Sequence, residues 1–114
     1  MHVQPSSASL TLACSLSPGE YAQRLREFRR LFARSLRDVR RAPTRLHLAL
    51  DAGTASEADV RDLLRREQEC CPFFTFAVES TAGTVVVEAA VPDGAEACLD
   101  DLERLAGRAR LTRT

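Results

Sequence analysis

Lysine is absent from this chain: all sixteen basic residues are arginine, and sixteen acidic residues balance them to a formal net charge of zero. With its abundant alanine, leucine and valine, that composition points to a GC-rich bacterial genome. Long apolar runs are missing too, and none approaches the ~20 residues needed to cross a bilayer. The opening stretch Met1–Ala8 has neither the basic n-region nor the apolar h-region of a secretory signal, so a cytoplasmic location is expected. HExxH, P-loop, GxGxxG and GxSxG motifs are all absent, which removes the metalloprotease, nucleotide-binding and hydrolase readings they would carry. The chain has four cysteines. In a cytoplasmic chain these are expected as thiols, metal ligands or core residues rather than disulfides.

What is present describes one ordinary globular domain. The 114 residues suffice for a single hydrophobic core, and 45% apolar with 28% charged residues speaks against disorder. Charge is unevenly placed. Arg24, Arg26, Arg29, Arg30, Arg34, Arg37, Arg40 and Arg41 face only Glu27 and Asp38 in their own stretch, while Asp93 to Glu103 is acidic. Such a basic helix could meet nucleic acid, but the reading favours a solvated face or one paired with the acidic helix.

Local patterns divide the chain into seven elements. Ser9 to Leu16 alternates and reads as a short strand. Ser17-Pro18-Gly19-Glu20 offers an N-cap, a proline at the first helical position and a capping box. The helix that follows carries Tyr21, Leu25, Phe28, Leu31, Phe32 and Leu36 at spacings of three and four, and is predicted to run to about Arg40. Ala42-Pro43 breaks it. Arg45 to Asp51 reads as a strand, with Leu46, Leu48 and Leu50 on one face and His47 on the other. Thr54 and Glu57 suggest a second capping box, before a helix whose inner stripe is Val60, Leu63, Leu64, Glu67 and Cys71 and which Pro72 ends. Phe74, Phe76 and Val78 alternate in a strand, Thr81-Ala82-Gly83 turns, and Val85, Val87, Ala89 and Val91 alternate in the next. Asp93 is expected to cap a last helix, with Glu96 at its third position, that ends at Gly107. The predicted order is β-α-β-α-β-β-α, a ferredoxin-like α+β two-layer sandwich with a mostly antiparallel sheet and the helices on one face. Residues 8–107 would form the domain, with 1–7 and 108–114 as flexible tails.

The stretch Glu67-Gln68-Glu69-Cys70-Cys71-Pro72 stands out as a candidate site. Neighbours three and four apart share a helix face, so Glu67 lies beside both thiols and one turn from Leu63 and Leu64. A carboxylate in an apolar stripe requires a partner. Arg24 sits in the inner stripe of the first helix, and an Arg24–Glu67 pair is the simplest solution. That pair could serve only to fix helix register, and the cysteines could be inert packing residues. Cys98 reads as core, and Cys14 could go either way.

Among functional alternatives, the adjacent thiols cannot comfortably bridge each other, because their Cα atoms lie about 3.8 Å apart and disulfides want about 4.4–6.8 Å. A reactive thiolate also prefers a helix N-terminus or nearby cations, whereas these thiols sit at a helix C-terminus behind Glu67 and Glu69. Arg65 and Arg66 would offset this only by folding back. A metal ion deprotonates its own ligands and tolerates a carboxylate, and Cu(I), Hg(II) or Zn(II) matches two thiolates. Cys14, Glu67 or His47 would have to complete a closed site, and His47 is placed on the exposed strand face.

The segment Arg66-Glu67-Gln68-Glu69-Cys70-Cys71-Pro72-Phe73-Phe74-Thr75-Phe76 carries a resemblance. It is similar to the REQxCCxFxxF hallmark of a family of small bacterial proteins from GC-rich genomes. An N-terminal segment like Ala13-Cys14-Ser15-Leu16, a helix with an arginine near its start (here Arg24) and a Val91-Pro92-Asp93-Gly94 turn extend the likeness over most of residues 10–106. Members occur beside or fused to mercury-transport-like membrane segments, which implies a metal or thiol context; this chain shows no such segment, which counts against transport. The resemblance implies that Cys14, Arg24, Glu67, Cys70 and Cys71 belong together.

The resulting expectation is a small soft-metal-binding protein of metal resistance or homeostasis. Cys70, Cys71, Cys14 and Glu67 are its candidate ligands, Arg24 is the supporting residue, and a soft monovalent or divalent metal ion is its partner. A homodimer is expected, and neither nucleic acid nor membrane as partner. The alternatives are a homo-oligomeric interaction domain with packing cysteines, and a thiol enzyme with Cys70 or Cys71 as nucleophile and Glu67 as base.

Overall fold

The first helix, α1 (Pro18–Ser35), starts as its sequence dictates. Ser17 Oγ accepts from the Glu20 amide at 3.3 Å, and the Glu20 carboxylate accepts from the Ser17 amide at 3.0 Å. These reciprocal bonds satisfy two amides that a helix start otherwise leaves open. The computed structural model describes residues 16–113, with side chains to Arg108. The strand expected over Ser9–Leu16 therefore falls, except for Leu16, outside the described residues, as do Cys14 and residues 1–7.

The end of α1 departs from expectation. The helix stops at Ser35 rather than near Arg40, and Leu36 turns to extended backbone at φ −69° and ψ 128°. Residues Leu36–Ala42 form a strand, β1, hydrogen-bonded antiparallel to β2 (Arg45–Asp51). A register shift between Leu36 and Asp38 explains why the sequence hides it. Because the shift interrupts the period of two, the residues aligned with the inward leucines of β2 are Leu36, Val39 and Arg41, opposite Leu50, Leu48 and Leu46. A spacing of three and then two reads from sequence like the tail of an amphipathic helix.

Helix α2 (Glu57–Cys70) follows, then β3 (Thr75–Thr81), β4 (Thr84–Ala90) and helix α3 (Glu96–Arg113). The N-cap of α2 is Ser56, whose hydroxyl accepts from the Asp59 amide at 3.1 Å; Thr54 instead pairs with the Ser35 hydroxyl at 2.9 Å. The expected Thr54–Glu57 capping box is therefore replaced, and Glu57 binds Arg61 and Ser80. Helix α3 starts at Glu96, with Pro92-Asp93-Gly94 as a turn before it. There the Glu96 carboxylate accepts from the Gly94 amide, and Gly94 takes φ +97°, a conformation glycine adopts without strain. The helix also passes through Gly107 to Arg113, since one glycine weakens a helix without ending it.

The sheet is open, four-stranded and antiparallel in the order β1-β2-β4-β3. Leu46, Leu48 and Leu50 lie opposite Ala89, Val87 and Val85, and Phe76 and Val78 continue those rows on β3. This inward face packs with Phe28, Phe32, Val60, Leu63, Leu64, Leu99 and Leu102 of the helices in one core. The chain is thus an α+β two-layer structure with its helices packed on the sheet. Helix α3 lies against β1, β2 and α1, while α2 lies on β3. Arg41 fastens β1 to α3 through Asp100 and Glu103, both at 2.8 Å. It is the one arginine of the basic stretch that meets the acidic helix through a described ion pair. Among the described residues, no helix is long and apolar enough to cross a membrane.

Candidate functional site

The second turn of α1 and the last turn of α2 meet where the chain leaves α2 for β3. Val60, Leu63, Leu64 and Glu67 share one face of α2, so the helix that buries three apolar residues must also bury the carboxylate. Glu67 is 0% exposed. Arg24 reaches it from α1, donating from Nη1 to Glu67 Oε1 at 2.8 Å. The pair expected from the sequence is thus formed, though for only one of the two carboxylate oxygens. Glu67 Oε2 is buried and has no hydrogen-bond partner among the described residues. Burial pushes the Glu67 carboxyl up to about 7, against the pull of the Arg24 hydrogen bond and charge.

The same guanidinium faces a sulfur. Arg24 Nη2 donates a long contact to Cys70 Sγ at 4.0 Å. A positive group beside sulfur stabilises whatever negative charge the sulfur or its complex carries. This cation comes from α1. Arg65 pairs with Asp62 and Glu69, and Arg66 pairs with Glu27 and Asp62, so neither folds back to the thiols through a described ion pair.

Cys71 is placed differently from its neighbour. Its side chain is 0% exposed in the core, while its amide donates to the Glu67 carbonyl at 2.8 Å and closes α2. Its carbonyl then accepts from the Phe74 amide at 3.2 Å. This turn leaves Pro72 and Phe73 outside, with Phe73 47% exposed, and returns Phe74 to the core, where it stacks on Phe76. Cys70, the last residue of α2, is half-buried. The two adjacent thiols are therefore not equivalent: one reaches the surface layer and the other packs inside.

A second cross-helix pair flanks the first. Arg66 of α2 grips both oxygens of Glu27 on α1 at 2.8 and 3.2 Å. The seam between α1 and α2 thus carries two ion pairs of swapped polarity, arginine to glutamate in one and glutamate to arginine in the other. The sequence reading missed Glu27 and Arg66. The signal was their spacing, three residues after Arg24 on one helix and one before Glu67 on the other.

Of the other candidates, Cys98 is buried in the core, as expected, and His47 lies on the outer sheet face opposite Arg40 and Glu88. Cys14 lies outside the described residues. Among the described residues, no three of histidine, cysteine, aspartate and glutamate come together as a group that could hold a metal ion. What the described residues offer a soft ion is a half-buried sulfur, a buried one next to it in the chain, and a carboxylate oxygen that lacks a partner. Comparison of the chain with protein-family models, curated proteins and solved structures finds no match to any of them.

Proposed function

We propose that this protein binds a soft metal ion of the Cu(I), Hg(II) or Zn(II) type through thiolates, as a capture module of metal resistance or homeostasis. Cys70 is the sulfur that meets the ion first, Cys71 and Cys14 are the further sulfur ligands, and Glu67 is an oxygen ligand or counter-charge. The observation that carries this reading is the Arg24 guanidinium shared between Glu67 Oε1 and Cys70 Sγ, with Glu67 Oε2 left unsatisfied. A bis-thiolate complex of a monovalent ion is an anion, and Arg24 supplies its counter-charge. The oxygen without a partner supplies an acceptor that burial otherwise penalises.

The test is equilibrium binding of Zn(II), Cu(I) and Hg(II) to the wild type, Cys70→Ser and Cys70→Ser/Cys71→Ser. The expected result is tight binding by the wild type, weakened at least tenfold by Cys70→Ser and abolished by the double change. Equal, weak binding by all three refutes the reading. Circular dichroism guards against loss of fold from the Cys71 change.

A second reading has its own observation: Cys71 and Cys98 lie wholly inside the core, as packing residues do. The protein would then be a homo-oligomeric interaction domain, using a sheet edge or the outer sheet face. A metal-free dimer in the native mass spectrum, with the double variant losing stability and no metal, distinguishes it.

A further inference from the structure

The face of α1 opposite Arg24 and Phe28 carries Arg26, Arg29, Arg30 and Arg34, all exposed. At 100° per residue they fall within one arc, together with Gln23 and Ala33 and with no acidic residue. Arg29, Arg30 and Arg34 form no described ion pair, and Arg26 donates to the uncharged Gln23 at 2.8 Å. Acids near the arc are already engaged: Glu20 in the N-terminal capping box, Glu27 with Arg66, and Asp62 with Arg65 and Arg66. The exception is Asp59, on the far wall of the groove between α1 and α2 that Arg30 and Arg34 also line. On the other flank Arg29 shares a hollow with Arg108 of α3 and with Arg104, which is paired to Asp101 at 2.8 Å. A chain of zero net charge thus concentrates positive charge along one helix. Like charges three and four apart repel and weaken the helix that carries them. A polyanion lying along the arc would relieve that repulsion.

We propose that this arc is a docking surface for the phosphate backbone of a nucleic-acid duplex. Arg26 to Arg34 spans about 12 Å of helix axis, over which a duplex presents a dense row of charges, one per ~1.7 Å. Arginine, the only strong base the chain uses, binds phosphate through paired N–H donors, which lysine cannot do. The arc bears no aromatic residue on which unpaired bases could stack, which disfavours a single strand. It bears no large apolar residue to enter a lipid layer either, because the apolar side of α1 is spent on the core. Backbone contacts of this kind position a protein on a duplex without reading its sequence. The surface is separate from the thiol site and does not depend on metal binding.

The test is fluorescence anisotropy of a labelled mixed-sequence DNA duplex with the full chain, at two salt concentrations. Four phosphate contacts give a salt slope near about −3.6, so raising salt from about 50 to about 200 mM should weaken binding roughly 150-fold. Arg26→Gln/Arg29→Gln/Arg30→Gln/Arg34→Gln, all at exposed positions, should lose at least tenfold in affinity at low salt. Arg40→Gln/Arg45→Gln, on the outer sheet face, should bind as the wild type does. The proposal is overturned if the wild type fails to bind at low salt, or if the quadruple variant matches it. Equal or tighter binding to a single strand, to poly-glutamate or to vesicles of anionic lipid overturns it as well.

Discussion

Replacing Glu67 with glutamine keeps the side chain's shape and a hydrogen-bond acceptor for Arg24 while removing the carboxyl's titration. In the folded chain that carboxyl is 0% exposed and is pushed from 4.5 up to about 7. In the unfolded chain it returns to its ordinary value. Between the two values the folded protein therefore holds a proton that the unfolded chain has released. Stability then falls as pH rises, by about 1.4 kcal/mol per pH unit in this window. The contribution is fully present below 4.5 and is lost as pH passes through about 7, a total of roughly 3 kcal/mol. Against a typical total of about 5–15 kcal/mol this is large enough to measure. Urea denaturation of chelator-treated wild type and Glu67→Gln, from about pH 5 to about pH 8, should show the variant gaining on the wild type as pH rises. Parallel profiles would refute the reasoning. So would a wild type that gains on the variant, because the ionised pair with Arg24 would then outweigh its desolvation.

Removing the other half of the pair should act in the opposite sense. Arg24→Ala leaves the buried Glu67 carboxyl without its donor, and because that carboxyl takes up a proton instead of staying a bare charge, the loss should be about 1–3 kcal/mol; Arg24→Met/Glu67→Leu should recover most of it, and thermal denaturation compares them. Ala82 sits at φ +48° beside Gly83 in the two-residue β3–β4 turn. Ala82→Asn, better suited to that left-handed position, should raise stability by about 0.5–1 kcal/mol in denaturant titration. Ser17→Ala removes the α1 cap and should lower stability by about 0.5–2 kcal/mol, read from the same titration.

Features that depend on neighbours within one helical turn or one hairpin were legible in the sequence. Ser17, Pro18 and Glu20 announce the start of α1, and the alternation from Val85 to Ala89 marks β4. The stripe Val60, Leu63, Leu64 and Glu67 forces a carboxylate into the core and so demands a cation, which identified Arg24 across 43 residues of sequence. Local logic failed where two periods overlap. Residues 36–42 satisfy a helical pattern, and only pairing with β2 across the register shift makes them a strand. The division of labour inside the site was equally out of reach. That Arg24 meets one oxygen of Glu67 and the sulfur of Cys70, and that Cys71 turns inward while Cys70 does not, follows from how α1 packs beside α2. By itself the sequence determined the start of α1, the strands β2, β3 and β4 and the body of α2 from local periodicity, and which charge must be buried. Only the tertiary structure decided which groups share that charge, because a guanidinium has a fixed fork geometry and the packing of two helices sets what lies within its reach.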